Sequence, residues 1–185
     1  TRSATLDPNF VDRVVHRHLD TGRPDEALML LRQARAWDAL AEAVVGLSPE
    51  SRRTLAPDEL VRAIDVLPET VVRAHPGVLV EQARALAGLG ARAQAGEVLG
   101  RAERLSAGQP PGFARAIEAQ WAADVLYGGD ADDALQRAEA VLAAAGDGED
   151  ATIARALTVA GTAHAWAARW PEATRALRRA AELFV

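Results

Sequence analysis

The chain contains no cysteine and no lysine. Without cysteine, disulfides, thiolate nucleophiles and cysteine-ligated metals are excluded, and a cytoplasmic location becomes the expectation. Without lysine, a phosphate-binding loop that ends in Gly-Lys-Ser or Gly-Lys-Thr is excluded as well. All 21 basic residues are therefore arginines.

Aromatic residues are scarce, at 4% of the 185 residues, and the sequence has no run of about 18 apolar residues that could cross a membrane. The formal charge is −5, and the arginines are interspersed with carboxylates instead of forming the clustered basic face that binds DNA. We therefore expect no membrane span and no direct contact of this segment with nucleic acid.

Small residues recur along the alanine-rich second half of the chain. Ala95, Ala134 and Ala173 lie 39 residues apart, and twelve residues before each lies another small residue. A recurrence at this spacing predicts stacked helix-turn-helix units whose small residues allow close approach. The small residues that precede are Ala83, Ala122 and Gly161. Four residues after each alanine of the 39-residue series come Leu99, Ala138 and Leu177, and seven residues after come Ala102, Val141 and Ala180.

Helix breakers divide the sequence into about ten predicted helices of an all-α fold. Irregular helical hairpins are expected over 7–75, and clearer hairpins over 76–106, 111–145 and 151–185. Together they predict one helical-repeat domain, 1–185, a tetratricopeptide-like superhelix of antiparallel helix pairs. Both ends have the character of a segment taken from a longer polypeptide.

Proline and glycine set the predicted boundaries in the first half. Asp7-Pro8 begins a helix that Gly22 ends, and Pro24 begins the next, which continues to about Ala34. A third helix covers about 37–46, and Ser48-Pro49 is expected to end it. The next predicted helix begins at Pro57 and stops at Pro68. A short helical turn is predicted around Val71-Val72.

The spacing over 76–185 resembles a tetratricopeptide repeat, with a period about five residues longer than usual. Leu79 and Leu157 occupy positions where that repeat prefers bulky residues. Glu118 occupies the matching position in the middle unit and departs from the pattern.

A second resemblance begins near Phe10. Residues 21–27 (TGRPDEA), 36–41 (AWDALA) and 64–76 (IDVLPETVVRAHP) form a series that is similar to MalT-like, LuxR-type, ATP-dependent transcription regulators. In that family a superhelical sensor receives an inducer or an inhibitory protein, while other modules bind ATP and DNA. The resemblance implies an effector-sensing or protein-interaction segment of a bacterial regulator, binding a small ligand or a protein partner.

The first helix of each pair lines the concave wall of such an array, so the residues near the small contacts on these helices are candidates for a groove. Ala119, Ala123 and Leu126 are predicted to form part of its apolar wall. A wall of this kind suits an apolar peptide helix, or a ligand with an anionic or hydroxylated head. The candidates that would bind it are Arg84, Tyr127, Arg155, Thr158, Thr162 and Trp166.

Other residues are given structural interpretations. His164 is predicted to be a core histidine with its hydrogen bonds satisfied, and Trp170 a packing residue at the last turn. His16 and His18 point away from each other on a helix and cannot share a metal. Residues 146–150 resemble part of a calcium loop, but Thr158 replaces the closing glutamate, so no metal site is expected.

No nucleophile is placed beside a plausible base, and no pair of carboxylates is singled out. We therefore expect no enzymatic activity and no cofactor in this segment. A general tetratricopeptide scaffold without a transcriptional role is the alternative, and an enzyme's accessory domain is a third, weaker one.

Overall fold

The structure is a computed structural model that describes the backbone of residues 8–145 and 150–183 and the side chains of residues 13–145 and 151–183. Over these residues it is all-helical with no strand, as predicted, and has twelve helices instead of about ten. The predicted cap Asp7, the separator 146–149 and the final two residues lie outside the described part. The helices are α1 Pro8–Asp20, α2 Pro24–Ala34, α3 Trp37–Val45, α4 Pro49–Thr54, α5 Pro57–Asp65, α6 Glu69–Ala74, α7 Gly77–Gly88, α8 Arg92–Arg104, α9 Pro111–Gly128, α10 Ala131–Ala144, α11 Asp150–Trp166 and α12 Trp170–Glu182.

The chain divides into two compact units, of which the first ends at Ala91 and the second begins at Arg92. In the first unit α3 and α5 pack against each other and each packs against both α2 and α7, with α1 on α2 and α6 on α3. In the second unit α9 packs against α8, α10 and α11, and α11 also packs against α10 and α12. The boundary falls within the predicted hairpin 76–106, so that pairing and the single domain stay predictions.

Of the two short helices beyond the predicted ten, α6 contains the helical turn predicted around Val71-Val72, and α4 was not predicted. Ser48-Pro49 was expected to end α3, but it begins α4. The Ser48 side chain accepts a hydrogen bond from the backbone N–H of Ser51 at 3.1 Å, and proline in the first turn needs no N–H partner. The same Ser-Pro pair that stops one helix therefore starts the next.

A recurring left-handed residue ends the first helix of each clear hairpin. Gly90, Gly129 and Ala168 lie 39 residues apart and have φ of 78°, 103° and 57°. After each one, the next backbone N–H reaches the carbonyl five residues back, as in a Schellman motif. These bonds are Ala91 to Leu86 at 2.9 Å, Asp130 to Val125 at 3.3 Å and Arg169 to His164 at 2.9 Å.

The small residues predicted at the contacts are buried. Ala83, Ala122 and Gly161 are all buried, as are Ala95, Ala134 and Ala173, which follow them by twelve residues. The closest approach is at Gly161, where a Cβ atom would lie 2.7 Å from Cγ of Leu177 and 3.3 Å from the carbonyl oxygen of Ala173. A side chain at position 161 would collide with Leu177, so glycine is what lets α11 and α12 approach this closely.

The core of the second unit consists mostly of alanine and other small apolar side chains. Ala119, Ala122 and Leu126 of α9 pack with Ala134 and Ala138 of α10, and α11 supplies the rest. Small side chains bring helix axes close together, since interaxial distance follows the size of the contacting residues. The α11 members are Ala156, Val159, Ala160 and Ala163.

The position where Glu118 departs from the repeat pattern carries an ion pair. Nη1 of Arg137 on α10 lies 2.7 Å from Oε1 of Glu118, and its Nε lies 3.0 Å from Oδ2 of Asp133. The hydrogen bonds to Asp133 and Glu118 raise the pKa of Arg137 above its usual value. A carboxylate thus replaces a bulky apolar group because α10 supplies its counter-ion. Leu79 and Leu157 are buried, as the pattern requires.

Polar contacts also link the helices of the first unit. Nε2 of Gln82 on α7 donates to Oδ1 of Asp65 on α5 at 2.7 Å. His75, which follows α6, has its Nε2 3.3 Å from Oδ1 of Asp38 on α3. Its ring therefore joins two helices beside the turn that leads to Pro76, consistent with the role in a turn that its position before proline suggests.

Candidate functional site on α9 and α11

Four of the six predicted site residues form one stripe along α11. Arg155, Thr158, Thr162 and Trp166 are spaced by three, four and four residues, which places them on a single helix face. Arg155 and the two threonines are half-buried and Trp166 is 54% exposed. Gly161 and its buried neighbours occupy the other side, so the stripe is the solvent-facing side of α11.

Arg155 connects this stripe to α9. Its Nη1 donates to Oε1 of Gln120 at 2.8 Å, and Gln120 is only 2% exposed. A buried amide oxygen needs a hydrogen-bond partner, and the guanidinium satisfies it. The bond fixes the arginine beside α9, and the residue as a whole is half-buried.

The two threonine hydroxyls are engaged with their own helix. Thr158 donates to the carbonyl of Ala154, and Thr162 donates to the carbonyl of Thr158, both at 2.8 Å. A hydroxyl keeps its acceptor lone pairs after it has donated its proton. The stripe therefore offers two hydrogen-bond acceptors to a ligand, with the hydroxyl protons already committed.

Two exposed aromatic rings lie at equivalent positions on the two helices. Tyr127 and Trp166 are 39 residues apart, each near the carboxyl end of its helix, and Tyr127 is 57% exposed. The guanidinium carbon of Arg92 stands 5.9 Å from the centre of the Tyr127 ring, which is within cation–π distance. Exposed rings at matched repeat positions are suited to contact a partner, since aromatic side chains dominate binding energy.

Arg84, the remaining candidate, belongs to the first unit, whereas the other five belong to the second. Its Nε binds Oε2 of Glu81 at 2.9 Å, and Oε1 of the same carboxylate binds Nη2 of Arg52 at 3.1 Å. Arg84 is therefore half-buried in an ion-pair network of its own unit, between α7 and α4.

Part of the predicted apolar wall proves to be core. Ala119, Ala123 and Leu126 are buried in the cluster of the second unit. The prediction that they line a groove is wrong because α9 packs against three helices and buries more than one stripe. Ala123 retains 8% exposure, and the other two are at 0% and 1%.

Two further structural interpretations change. Trp170 was expected to pack at a turn, but it is the first residue of α12 and is 63% exposed. His164 is half-buried, and its Nδ1 is buried without a hydrogen-bond partner among the described residues. The expected satisfied core histidine is therefore not what the structure shows. The backbone carbonyl of His164, in contrast, accepts a hydrogen bond from the backbone N–H of Arg169 at the end of α11.

Gln120 is the site residue that the sequence interpretation missed. The available signal was its position, because Gln120 shares a helix face with Ile117 and Ala123, three residues away on either side, and that face should be apolar. A polar group buried at such a position requires a partner. The sequence alone does not show that this partner comes from a helix 35 residues later.

Among residues 13–145 and 151–183 no group of three histidine, aspartate or glutamate side chains is arranged to hold a metal ion. In the same part of the chain no helix combines the length and the apolar character needed to span a bilayer. No family model, no curated protein and no solved structure matches the chain.

Proposed function

We propose that the chain is the effector-sensing or protein-interaction segment of a bacterial transcription regulator, and that it works as a tetratricopeptide-like superhelix. The exposed face of α9 and α11 is its binding surface. The single observation that carries the binding part is the coincidence of two exposed aromatic rings, Tyr127 and Trp166, with the half-buried Arg155 on adjacent helices. The regulator part rests on the resemblance of residues 21–76 to the sensor region of MalT-like proteins.

The chemistry of the face suggests what it binds. The rings provide apolar contact, Arg155 provides positive charge, and Thr158 and Thr162 provide acceptors. An apolar peptide helix with a carboxylate fits this set, and so does a metabolite with an anionic or hydroxylated head. The segment acts by binding this peptide or metabolite and performs no chemistry of its own. It works in the cytoplasm and needs no cofactor.

A photocrosslinking experiment tests the binding surface. Benzoylphenylalanine replaces Tyr127, whose ring is exposed and aromatic, and in the matched control it replaces Gln94, an exposed residue of α8. We expect a defined adduct in cells at position 127 that is absent at position 94 and reduced by Arg155→Ala. Equal labelling at both positions, or none at 127, would contradict a binding role for this face.

The regulator role has a separate test in the polypeptide that adjoins these residues in the gene. A phosphate-binding loop upstream and a helix-turn-helix downstream would support it. If neither module adjoins the segment, the general scaffold without a transcriptional role is favoured instead. A catalytic domain in the same polypeptide would favour the enzyme accessory role.

A further inference from the structure

In the second unit one exposed aromatic ring already has a cation of the protein over it. The guanidinium carbon of Arg92, the first residue of α8, stands 5.9 Å from the centre of the Tyr127 ring near the end of α9. A guanidinium at this distance is attracted by the negative face of the ring. The pair therefore shows, within the chain itself, where a cation lies against the aromatic residue at this repeat position.

The next hairpin keeps the ring and lacks the cation. A step of 39 residues takes Tyr127 to Trp166. The same step takes Arg92 to Ala131, the first residue of α10, which packs against the cluster that α11 completes. Among the described residues no cation stands over the ring of Trp166, which is 54% exposed. Tyr127 is 57% exposed although α11 and α12 follow it, so this repeat position stays open when a further hairpin follows.

The charge around this position also reverses between the two hairpins. In the earlier one an arginine is flanked by two alanines (91–93), and in the later one an alanine is flanked by Asp130 and Asp132. Both aspartates are exposed and form no ion pair with any described residue. Asp130 also caps α10, whereas the Asp132 carboxylate has no polar partner in the part of the chain that the structure describes. The countercharge for a cation is therefore present without the cation.

The end of α11 favours positive charge as well. Trp166 is the last residue of this 17-residue helix, and the macrodipole places partial negative charge at the carboxyl end of a helix. The start of α10 has the opposite polarity, but its aspartates offset it. The indole thus lies between a helix end and a pair of carboxylates that both attract a cation.

The extent of the face indicates what carries that cation. Arg155 precedes Trp166 by eleven residues, which is about 16 Å along a helix. A compact metabolite is too short to contact both, whereas a peptide with an anionic and a cationic group spans this distance. Because the chain's own example is Arg92, a guanidinium is the cation that fits this position.

We infer that Trp166, with the carboxylates of Asp130 and Asp132 at the start of α10, binds an arginine side chain of a partner peptide. The guanidinium lies against the indole face, as that of Arg92 lies against Tyr127. The inference rests on the function proposed above, since it assigns one residue of the ligand that the face of α9 and α11 binds. Crosslinking at position 127 tests whether the face is occupied, and a separate experiment tests whether it recognises a positive charge.

A titration followed by nuclear magnetic resonance is suited to that second question, because it detects weak binding at a single side chain. The probe is the peptide acetyl-Leu-Arg-Leu-amide, and the matched control contains citrulline, which has the shape of arginine without its charge. The indole N–H signals of the four tryptophans are recorded, and the Trp166→Phe variant identifies the signal of that residue. Trp170 is the internal control, since it is also exposed but follows Arg169.

We expect the arginine peptide to shift the Trp166 signal and to bind at least about threefold more tightly than the citrulline peptide. This preference should decline as salt is raised. Asp132→Asn should reduce it, whereas Glu139→Gln, at an exposed carboxylate elsewhere on α10, should leave it unchanged. Ala131→Arg should also reduce it, because it places a guanidinium of the protein over the indole. Circular dichroism verifies that each variant keeps its helix content.

Several results would overturn the inference. They are equal affinity of the two peptides, failure of both to bind, an equal shift of the Trp170 signal, and a preference for arginine that Asp132→Asn leaves unchanged. Tetramethylammonium that binds as tightly as the arginine peptide would make the occupant a small cation instead. Self-association that Ala131→Arg abolishes would make it a second copy of the chain. If position 127 crosslinks while the two peptides bind equally, the face binds its ligand without this contact.

Discussion

The guanidinium of Arg155 on α11 satisfies the buried side-chain oxygen of Gln120 on α9, at 2.8 Å. This bond has two consequences. It holds together the two helices that carry the exposed aromatic rings, and it positions the positive charge of the proposed binding face. Stability and binding therefore depend on the same side chain.

Replacing Arg155 with leucine should lower the free energy of unfolding by about 1–3 kcal/mol, because Gln120 is left buried with an unpaired amide. The double variant Arg155→Leu with Gln120→Leu should recover much of that loss, since both polar groups are then gone. Urea denaturation of the single and double variants measures this. Strictly additive losses would show that the bond does not couple the two helices.

Ala168 is the position where a glycine should help. It has a left-handed φ of 57°, whereas the equivalent positions of the two preceding hairpins are glycines, Gly90 and Gly129. That conformation costs a residue with a Cβ atom roughly 1–2 kcal/mol. The extra entropy of glycine in the unfolded chain offsets part of the gain. Ala168→Gly should therefore raise the midpoint of thermal unfolding.

The matched control is Ala167→Gly, one residue earlier, where φ is not positive. There glycine brings the entropic cost alone, so stability should fall by about 0.5–1 kcal/mol. If both substitutions lower the midpoint equally, the helix end is not strained at Ala168.

Asp130 caps α10 by accepting a hydrogen bond from the backbone N–H of Asp133 at 3.0 Å. Asp130→Ala should cost about 0.5–2 kcal/mol of stability, because an N–H group of the first turn loses its partner. Asp130→Asn keeps a capping oxygen and should be nearly neutral. Chemical denaturation separates the two outcomes, and an equal loss for alanine and asparagine would argue against capping.

Arg137 should contribute little, despite its two short contacts. The side chains of Arg137, Glu118 and Asp133 are each more than a third exposed, and solvent-screened ion pairs contribute about 0–1 kcal/mol. Arg137→Met should therefore change the free energy of unfolding by no more than about 1 kcal/mol, and less at high salt. A larger loss that is insensitive to salt would mean that Glu118 is effectively desolvated. An arginine stays charged throughout the practical pH range, so this contribution is not lost by titration of Arg137.

The sequence predicts the helices well because their signals are local. Pro24, Pro57 and Pro111 each begin a helix, and the 39-residue step locates the buried alanines. The step also locates Ala168 as the counterpart of Gly90 and Gly129.

The candidate site is less predictable, since it depends on which helices become neighbours. By their spacing along α9, Ala119 and Leu126 were predicted to face the groove. They are buried instead, because α9 packs against α8, α10 and α11. The partner of Gln120 and the exposure of Trp170 depend equally on tertiary packing, which no local pattern encodes.

The central claim is that helix pairs nest closely because tiny residues occupy their points of nearest approach. The most direct test is a double-mutant cycle on Gly161 and Leu177, followed by urea denaturation. Gly161→Ala alone should destabilise the protein by about 1–3 kcal/mol through overpacking, and Gly161→Ala combined with Leu177→Ala should remove most of that penalty. Gly128→Ala, where a Cβ atom meets nothing within 4 Å, should be neutral or stabilising. If Gly161→Ala instead stabilises the protein as Gly128→Ala does, the two helices do not approach as closely as described, and the account is contradicted.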